Sequence, residues 1–414
     1  MQLKHQRLRV LRRPENLGKH AKTGVSLHCH TLHSRETLDF IPYYAERIPV
    51  VSYFWEKECR RYQARNGKFP DFTVGYWSPP LSGEEVYTSE KEQLNGAGLD
   101  ALVSITDHDC IDANLELNAR RLNDEVPISL EWTVPFEYAY FHVGVHNLPR
   151  AHAIEIKNRL LAYTSEPVMQ NNARLHELFS YLNSMPEVLL VLNHPVWDIE
   201  MIGEIRHLCL LESFIAEHGQ WIHALEVNGF RSWSENQEVV KIAGLFGFPI
   251  VSGGDRHCLN HNAMVNITDA TTFAEFADEI RNEQRSEIVV MPEYHLPLAW
   301  RQTRSMSQIL GNYPAAPVGR RQWTDRVHLP GDDDKRLHPL SHHWRDGAPG
   351  WLPLAMSVLQ IAGHRVMRPF FGVTVDRADV IPENVYQLTV QSPPVRRAKP
   401  LSSRFEPVSS DRAA

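Results

Sequence analysis

Six short apolar runs rich in β-branched residues punctuate the first 300 residues of this 414-residue chain. They are Val25–Cys29, Ala101–Thr106, Pro127–Trp132, Val188–Asn193, Ala224–Asn228 and Pro249–Gly253, and a further strand pair is expected around Tyr140–Asn147. Between them, helical spacing runs through Glu84–Asn95, Asn114–Asn123, Ala153–Ala162, Asn172–Asn183, Met201–Glu217 and Glu235–Phe246. Runs this short suit strands, and their alternation with helices predicts an α/β fold around a parallel sheet, open or closed into a barrel. No repeat of fixed period is visible.

Two stretches break the rhythm. Phe40 to Pro80 is crowded with aromatics (Tyr43, Tyr44, Tyr53, Phe54, Trp55, Tyr62, Phe69, Phe72, Tyr76 and Trp77). It reads either as a helical insertion packed on the body or as a lid over a site. The last 114 residues hold 12 of the 27 prolines, which suits loops and partial disorder. One helix, about Leu352 to Met367, is expected to dock on the body, and a mobile tail is expected beyond Pro393. The expected divisions are a basic N-terminal arm at 1–20, a barrel-like body at 21–298 with its insertion at about 40–80, and an extension at 299–414.

Charge follows these divisions. From residue 301 onward there are 16 Lys and Arg against 10 Asp and Glu, so the first 300 residues hold 27 against 40. An acidic body disfavours binding to long duplex nucleic acid, although the basic extension could tether an acidic partner. No run reaches the roughly 20 apolar residues of a membrane span, and no apolar signal core follows the basic N-terminus. Five cysteines without a CxxC spacing argue against a disulfide framework and against a zinc finger. The expectation is a cytoplasmic protein with no membrane partner.

Histidine carries the chemistry: 17 of the 22 precede residue 301. His28-Cys29-His30 places two imidazoles two apart, on one face of a strand, with Cys29 turned away. Asp107-His108-Asp109 closes the second run and suits a ligand flanked by orienting carboxylates. Glu131 and His142 each sit on an apolar strand, where an unpaired carboxylate would be costly. Asn193-His194-Pro195 and Gly254-Asp255-Arg256-His257 follow two further runs. Each cluster alone suits a turn or a satisfied core histidine. Five at the ends of successive strands converge on one site, because parallel α/β folds build sites at the carboxyl ends of their strands. GxSxG, HExxH, GxxxxGK[ST] and GxGxxG are all missing from the sequence.

As an ordered set, HCHTxxS, ITDHD, a strand Glu, a strand His, NHP and GGDRH resemble the motifs of the PHP (polymerase and histidinol phosphatase) superfamily over roughly Val25 to Met291. The resemblance implies a distorted (β/α)7 barrel holding two or three divalent ions, Mn²⁺, Zn²⁺ or Fe²⁺. The ligands it implies are His28, His30, His108, Glu131, His142, His194, Asp255 and His257. The sequence departs from the family after Ser34, where Arg35 and Glu36 replace Asp-Gly. Either Glu36 supplies the carboxylate one residue late, with His33 as the fallback, or the third metal site is weak or absent. Arg256 replaces a small residue, and it either clamps a substrate phosphate or faces away to pair with a carboxylate. Glu226 resembles the family's strand Glu, and Arg231 is a second phosphate candidate.

The reaction expected from this set is hydrolysis of a phosphate ester by a metal-bridging hydroxide. An arginine would stabilise the equatorial oxygens, and Asp107 would orient a ligand or pass a proton. The substrate would be a small phosphometabolite, a nucleotide or a short oligonucleotide, with histidinol phosphate a less favoured case. Metal-dependent C–N hydrolysis and a non-catalytic metal-binding scaffold are the alternatives; an arginine directed at a phosphate would discriminate.

Overall fold

The structure is a computed structural model, and it describes residues 5–38, 40–47, 51–121, 126–331, 336–344, 347–372 and 379–391. The tail expected beyond Pro393 lies outside the described residues. Fifteen strands run in chain order: β1 His5–Val10, β2 Thr23–Ser26, β3 Glu36–Thr37, β4 Tyr76–Trp77, β5 Asp100–Val103, β6 Leu130–Phe136, β7 Ala139–His146, β8 Leu189–Leu192, β9 Ala224–Asn228, β10 Ile250–Gly253, β11 Met264–Thr268, β12 Ser286–Val290, β13 Val327–Pro330, β14 Leu337–Pro339 and β15 Gln387–Gln391. They form a six-stranded sheet (β15-β1-β12-β11-β2-β5), a five-stranded sheet (β10-β9-β8-β7-β6) and a four-stranded sheet (β14-β13-β4-β3).

The fold is mixed α/β, with its strands divided among several sheets. A strand forms at each of the six apolar runs, β7 forms at Ala139–His146 and pairs with β6, and helices form over the six segments with helical spacing. The sheets are mixed rather than parallel. Strands β8, β9 and β10 run parallel, as do β2 and β5, whereas β7 is antiparallel to both neighbours and β11 to both of its own. One cause is local: β6 and β7 are joined by a tight hairpin, with Glu137 at φ 53°. The two larger sheets approach each other through isolated parallel bridges, Cys29 with Arg256 and His108 with Glu131. Among the described residues no single closed ladder joins all the strands.

The N-terminus is corrected by the structure. Residues 5–10 are a strand within the six-stranded sheet rather than part of an arm, paired parallel with β12 and antiparallel with β15. Strict alternation explains this. Gln6, Leu8 and Val10 point inward and are buried, while Arg7 and Arg9 face outward. Full burial of a Leu or Val contributes about 2 kcal/mol relative to exposure, which outweighs the polar character of the run. Buried Gln6 is satisfied by accepting from Ile250 N and donating to Phe248 O.

The extension is corrected in the same sense. Trp300, Arg301, Ser305, Arg326, Leu340 and Ile381 are buried. Its strand β13 pairs with β4 of the aromatic insertion, which in turn pairs with β3 beside the first histidine motif. Insertion and extension therefore form one added layer. The expected helix forms over Leu352–Ala362, followed by a 3-10 turn at Arg365–Met367. It is anchored by its ends: Trp351 stacks on Phe54 of the insertion, and Trp300 donates to His364 O.

Candidate metal centre

The apolar strands end where the polar residues begin, and the polar residues converge. His28 and His30 follow β2, His108 follows β5, His194 follows β8, and Asp255 and His257 follow β10. Glu131 and His142 come instead from within the β6–β7 hairpin. The hairpin delivers them sideways, so the strand-end rule does not describe these two. All eight, together with Glu36, lie in one continuous cluster.

Glu131 is at its middle and is fully buried. Its Oε2 lies 3.0 Å from His28 Nε2 and 3.4 Å from both His30 Nε2 and His108 Nε2. Its Oε1 lies 3.2 Å from His194 Nε2 and 3.3 Å from His142 Nδ1, and it accepts from Asn193 Nδ2 at 2.9 Å. Glu36 forms a second focus, with Oε2 at 3.2 Å from both His108 Nε2 and His257 Nε2, and Oε1 at 3.6 Å from His30 Nδ1. Asp255 Oδ1 lies 3.6 Å from His30 Nε2 and 3.9 Å from His28 Nε2. The structure thus brings Glu36 in, one residue late, while His33 turns to Glu116.

This donor set fits divalent cations. Ring nitrogens of His28 and His30 face each other at 3.0 Å, and only one of two such atoms can carry the proton between them. His142 Nδ1 is buried and lacks hydrogen-bond geometry to any partner, despite its closeness to Glu131. Three groups have mutually close ligand atoms: His28, His30 and Glu131; His30, Glu36 and His257; His108, Glu131 and His142. They share His30 and Glu131. Imidazole and carboxylate together suit Mn²⁺, Fe²⁺ or Zn²⁺ without choosing among them.

The carboxylates and imidazoles of the cluster shift one another. Burial pushes the Glu131 carboxyl up, but His28, His108 and His142 together outweigh it and hold it well below the usual range. Glu36 and Asp255 are likewise held low against burial by facing imidazoles. Burial works against protonated His108, yet Glu36 and Glu131 push it up to about 10; His28 and His257 also rise. Burial prevails at His30 and His142, which fall to about 4. Three carboxylates held low thus face imidazoles from several sides, an arrangement that favours bound positive charge.

The supporting residues are buried too. Glu226 Oε2 accepts from His28 Nδ1 at 2.8 Å, which orients that ring and aims its Nε2 at His30 and Glu131. A Cβ at Gly253 would sit 2.4 Å from the Glu226 carboxyl carbon, so only glycine lets that carboxylate in. Asp109, His194 and Asp255 hold left-handed φ values of 51°, 27° and 46°. Such conformations are uncommon without glycine.

Two expected catalytic residues are corrected. Both oxygens of Asp107 are engaged by Thr31, accepting from its N–H at 2.5 Å and its hydroxyl at 2.7 Å. Burial raises this carboxyl to about 7. Asp107 therefore positions the chain after His30 through Thr31. Arg256 faces away, buried against Glu90, with Ser89 Oγ and Cys258 O accepting its other donors. Alternation explains both this and Cys29, which contacts Ser104 O on the far side. Arg231, in contrast, reaches the cluster: its NH2 lies 3.1 Å from Asp255 Oδ2 and its guanidinium stacks 3.4 Å above the Trp197 ring.

Aromatic walls escaped the sequence reading as site residues. Trp77 lies 5.4 Å from His257, Tyr140 5.4 Å from His142, and Trp197 5.0 Å from His194, ring to ring. Trp197 sits three residues after His194 in NHPVW, a local signal available in the sequence. Trp77 comes from the insertion, and only pairing of β4 with β3 brings it there.

No family model matches the chain, and no curated protein does. Among solved structures, the chain is similar to an amidohydrolase from Chromobacterium violaceum with bound sulfate and no metal. They share 16% identity over 44% of this chain and 84% of that one, at a TM-score of 0.27. It is also similar to a candidate metal-dependent phosphoesterase from Bifidobacterium adolescentis, with 12% identity over 49% and 91% of the two chains and a TM-score of 0.31. Among the described residues, no helix is long and apolar enough to cross a membrane.

Proposed function

We propose that the chain is a metal-dependent phosphoesterase of the PHP type, acting on a small phosphorylated substrate. One observation carries the choice of substrate. Arg231 stands at the edge of the ligand cluster, in contact with Asp255 and spread on Trp197, where a guanidinium suits a tetrahedral anion. A barrel-like arrangement is supported by the two isolated bridges between the larger sheets and by the order of the motifs.

In this reading His28, His30, Glu36, His108, Glu131, His142, His194, Asp255 and His257 hold two or three divalent ions. Such ions, when bound, acidify water and neutralise charge on a phosphate. The protein's own groups do the rest. Arg231 binds a phosphate oxygen, the Trp197 ring keeps its guanidinium flat, and Glu226 fixes the His28 tautomer. Trp77 and Tyr140 restrict water and shape the entrance, a role in which the insertion acts as a lid. The acidic body favours a small phosphometabolite, a nucleotide or a short oligonucleotide over a long duplex.

The test is phosphate or phenolate release by metal-loaded protein from paired mono- and diester substrates, with a His108→Ala control. Release that disappears in the control is expected, and the faster substrate assigns the ester type. Bound metal with no release from either substrate overturns the phosphoesterase reading and shifts weight to C–N hydrolysis.

A further inference from the structure

A second group of ligand-type side chains lies apart from this centre and shares no residue with it. His176 belongs to the helix Asn172–Asn183, while Glu217 and His218 end the helix Glu204–His218. One ligand atom from each lies within 4.8 Å of the others. His218 is fully buried, and neither of its ring nitrogens has a hydrogen-bond partner. His176 Nε2 is likewise buried and unpartnered.

Orphaned buried nitrogens are costly and need a reason. Packing alone supplies none here. The His218 ring is surrounded by Phe136, Phe179, Phe214 and Trp221, a box that a phenylalanine would fill without leaving two polar atoms unmet. The third donor is already held in place: Asn172 Nδ2 donates to Glu217 Oε2 at 2.7 Å. Asn172 and His176 are four apart and share one helix face. Position adds to this. The last turn of a helix is its negative end, which favours a cation, and His218 is the final residue of its helix.

We infer that His176, Glu217 and His218 form a separate site for one zinc-class divalent ion, stapling the two helices together. Two imidazoles and a carboxylate are zinc's ordinary ligands, with the fourth position left to water. Because the site shares no residue with the hydrolytic cluster and joins two helices, its role is structural.

The test uses the full chain, loaded with Zn²⁺ or with Co²⁺ as a spectroscopic probe, and counts bound metal. His176→Ala is expected to bind one equivalent less than wild type, to lose part of the visible Co²⁺ absorption, and to keep its hydrolytic activity. Glu217→Gln, at a position that is not buried and that the fold tolerates, is expected to weaken Zn²⁺ at this site at least tenfold. Zn²⁺ should also raise the thermal midpoint of His30→Ala, in which a ligand shared within the main centre is lost, more than that of the His30→Ala/His176→Ala double variant. Equal metal counts in wild type and His176→Ala, with an unchanged Co²⁺ spectrum, overturn the inference. Since the count is a difference between two proteins, it stands whether or not the main centre proves to be a phosphoesterase.

Discussion

Replacing Arg256 separates a structural arginine from a catalytic one. Its side chain and that of Glu90 are 4% and 1% exposed. Glu90 Oε2 accepts from Ser26 Oγ and Asn262 Nδ2, so the pair anchors a buried polar network beneath the β2 and β10 strand ends. Arg256→Met removes the cation and leaves Glu90 buried without its charge partner, which costs about 3–5 kcal/mol. Arg256→Met/Glu90→Met removes both charges, and the double variant should recover most of that loss, since two apolar side chains of similar length often match a buried ion pair. Urea unfolding reads the difference. With a slope of about 3 kcal/mol per M for a chain this long, the single variant's midpoint should fall by about 1 M or more. The double-mutant cycle should return a coupling of about 2–3 kcal/mol. Activity per folded molecule should fall far less in either variant than in one lacking Arg231. A single variant that keeps its urea midpoint but loses a hundredfold in kcat/KM would refute this reasoning and restore Arg256 as a phosphate clamp.

Two further outcomes follow from the geometry. Arg231→Gln should lower kcat/KM on a phosphate ester by about 10²–10³, the usual cost of one donor aimed at developing charge, with metal content unchanged by elemental analysis. An undiminished rate would exclude Arg231 from substrate binding. His223 should make the fold acid-sensitive: its Nδ1 accepts from Leu190 N–H, its Nε2 donates to Asn183, and burial beside Arg281 lowers it to about 3. The folded state then binds fewer protons than the unfolded state, whose histidine titrates near 6.5, so stability is full above pH 6.5 and declines as pH falls toward 3. Between pH 8 and pH 5 this amounts to about 2 kcal/mol, and denaturation of His223→Gln against wild type should show that much less pH dependence; equal slopes would count against it.

Much of the site could be read in the sequence because its residues break a pattern. A histidine or carboxylate closing an apolar β-branched run is conspicuous, and His28, His108, His194 and Asp255 all have that setting. Glu36 was harder, since it sits in a two-residue strand and joins the cluster only through the loop after His30. Strand β1 was hidden by its charge: HQRLRV looks like a basic arm until the two arginines are placed on one face. Strand β15 was hidden by the prolines around it, although Leu388 packs against the main core. The directions of Arg256 and Asp107 depend on one residue of alternation at a strand end, where the chain leaves regular geometry. The His176, Glu217 and His218 group gave no signal, because its partners lie about 40 residues apart on helices whose mutual packing no local pattern specifies.

The ligands gather where the regular backbone pairing gives out. Among the described residues the two larger sheets do not share a continuous ladder; the backbone bridges between them are Cys29 with Arg256 and His108 with Glu131. Both bridges fall within the ligand motifs themselves. Around them, Asp109, His194 and Asp255 hold left-handed backbone conformations, so each strand turns abruptly on leaving its sheet. A continuous ladder would alternate side chains above and below the sheet, sending half of each motif into the apolar core. Breaking the ladder lets His28, His30, His108 and His194 crowd Glu131 from several directions at once. The backbone strain and the carboxylates' desolvation oppose folding of this region, and the surrounding core of fully buried Leu130, Trp132, Val143, Leu192 and Val227 offsets them. Cation binding to the folded cluster alone would add stability by mass action. Chelation should therefore lower the unfolding midpoint of the wild-type chain more than that of His30→Ala, in which the shared ligand is already lost.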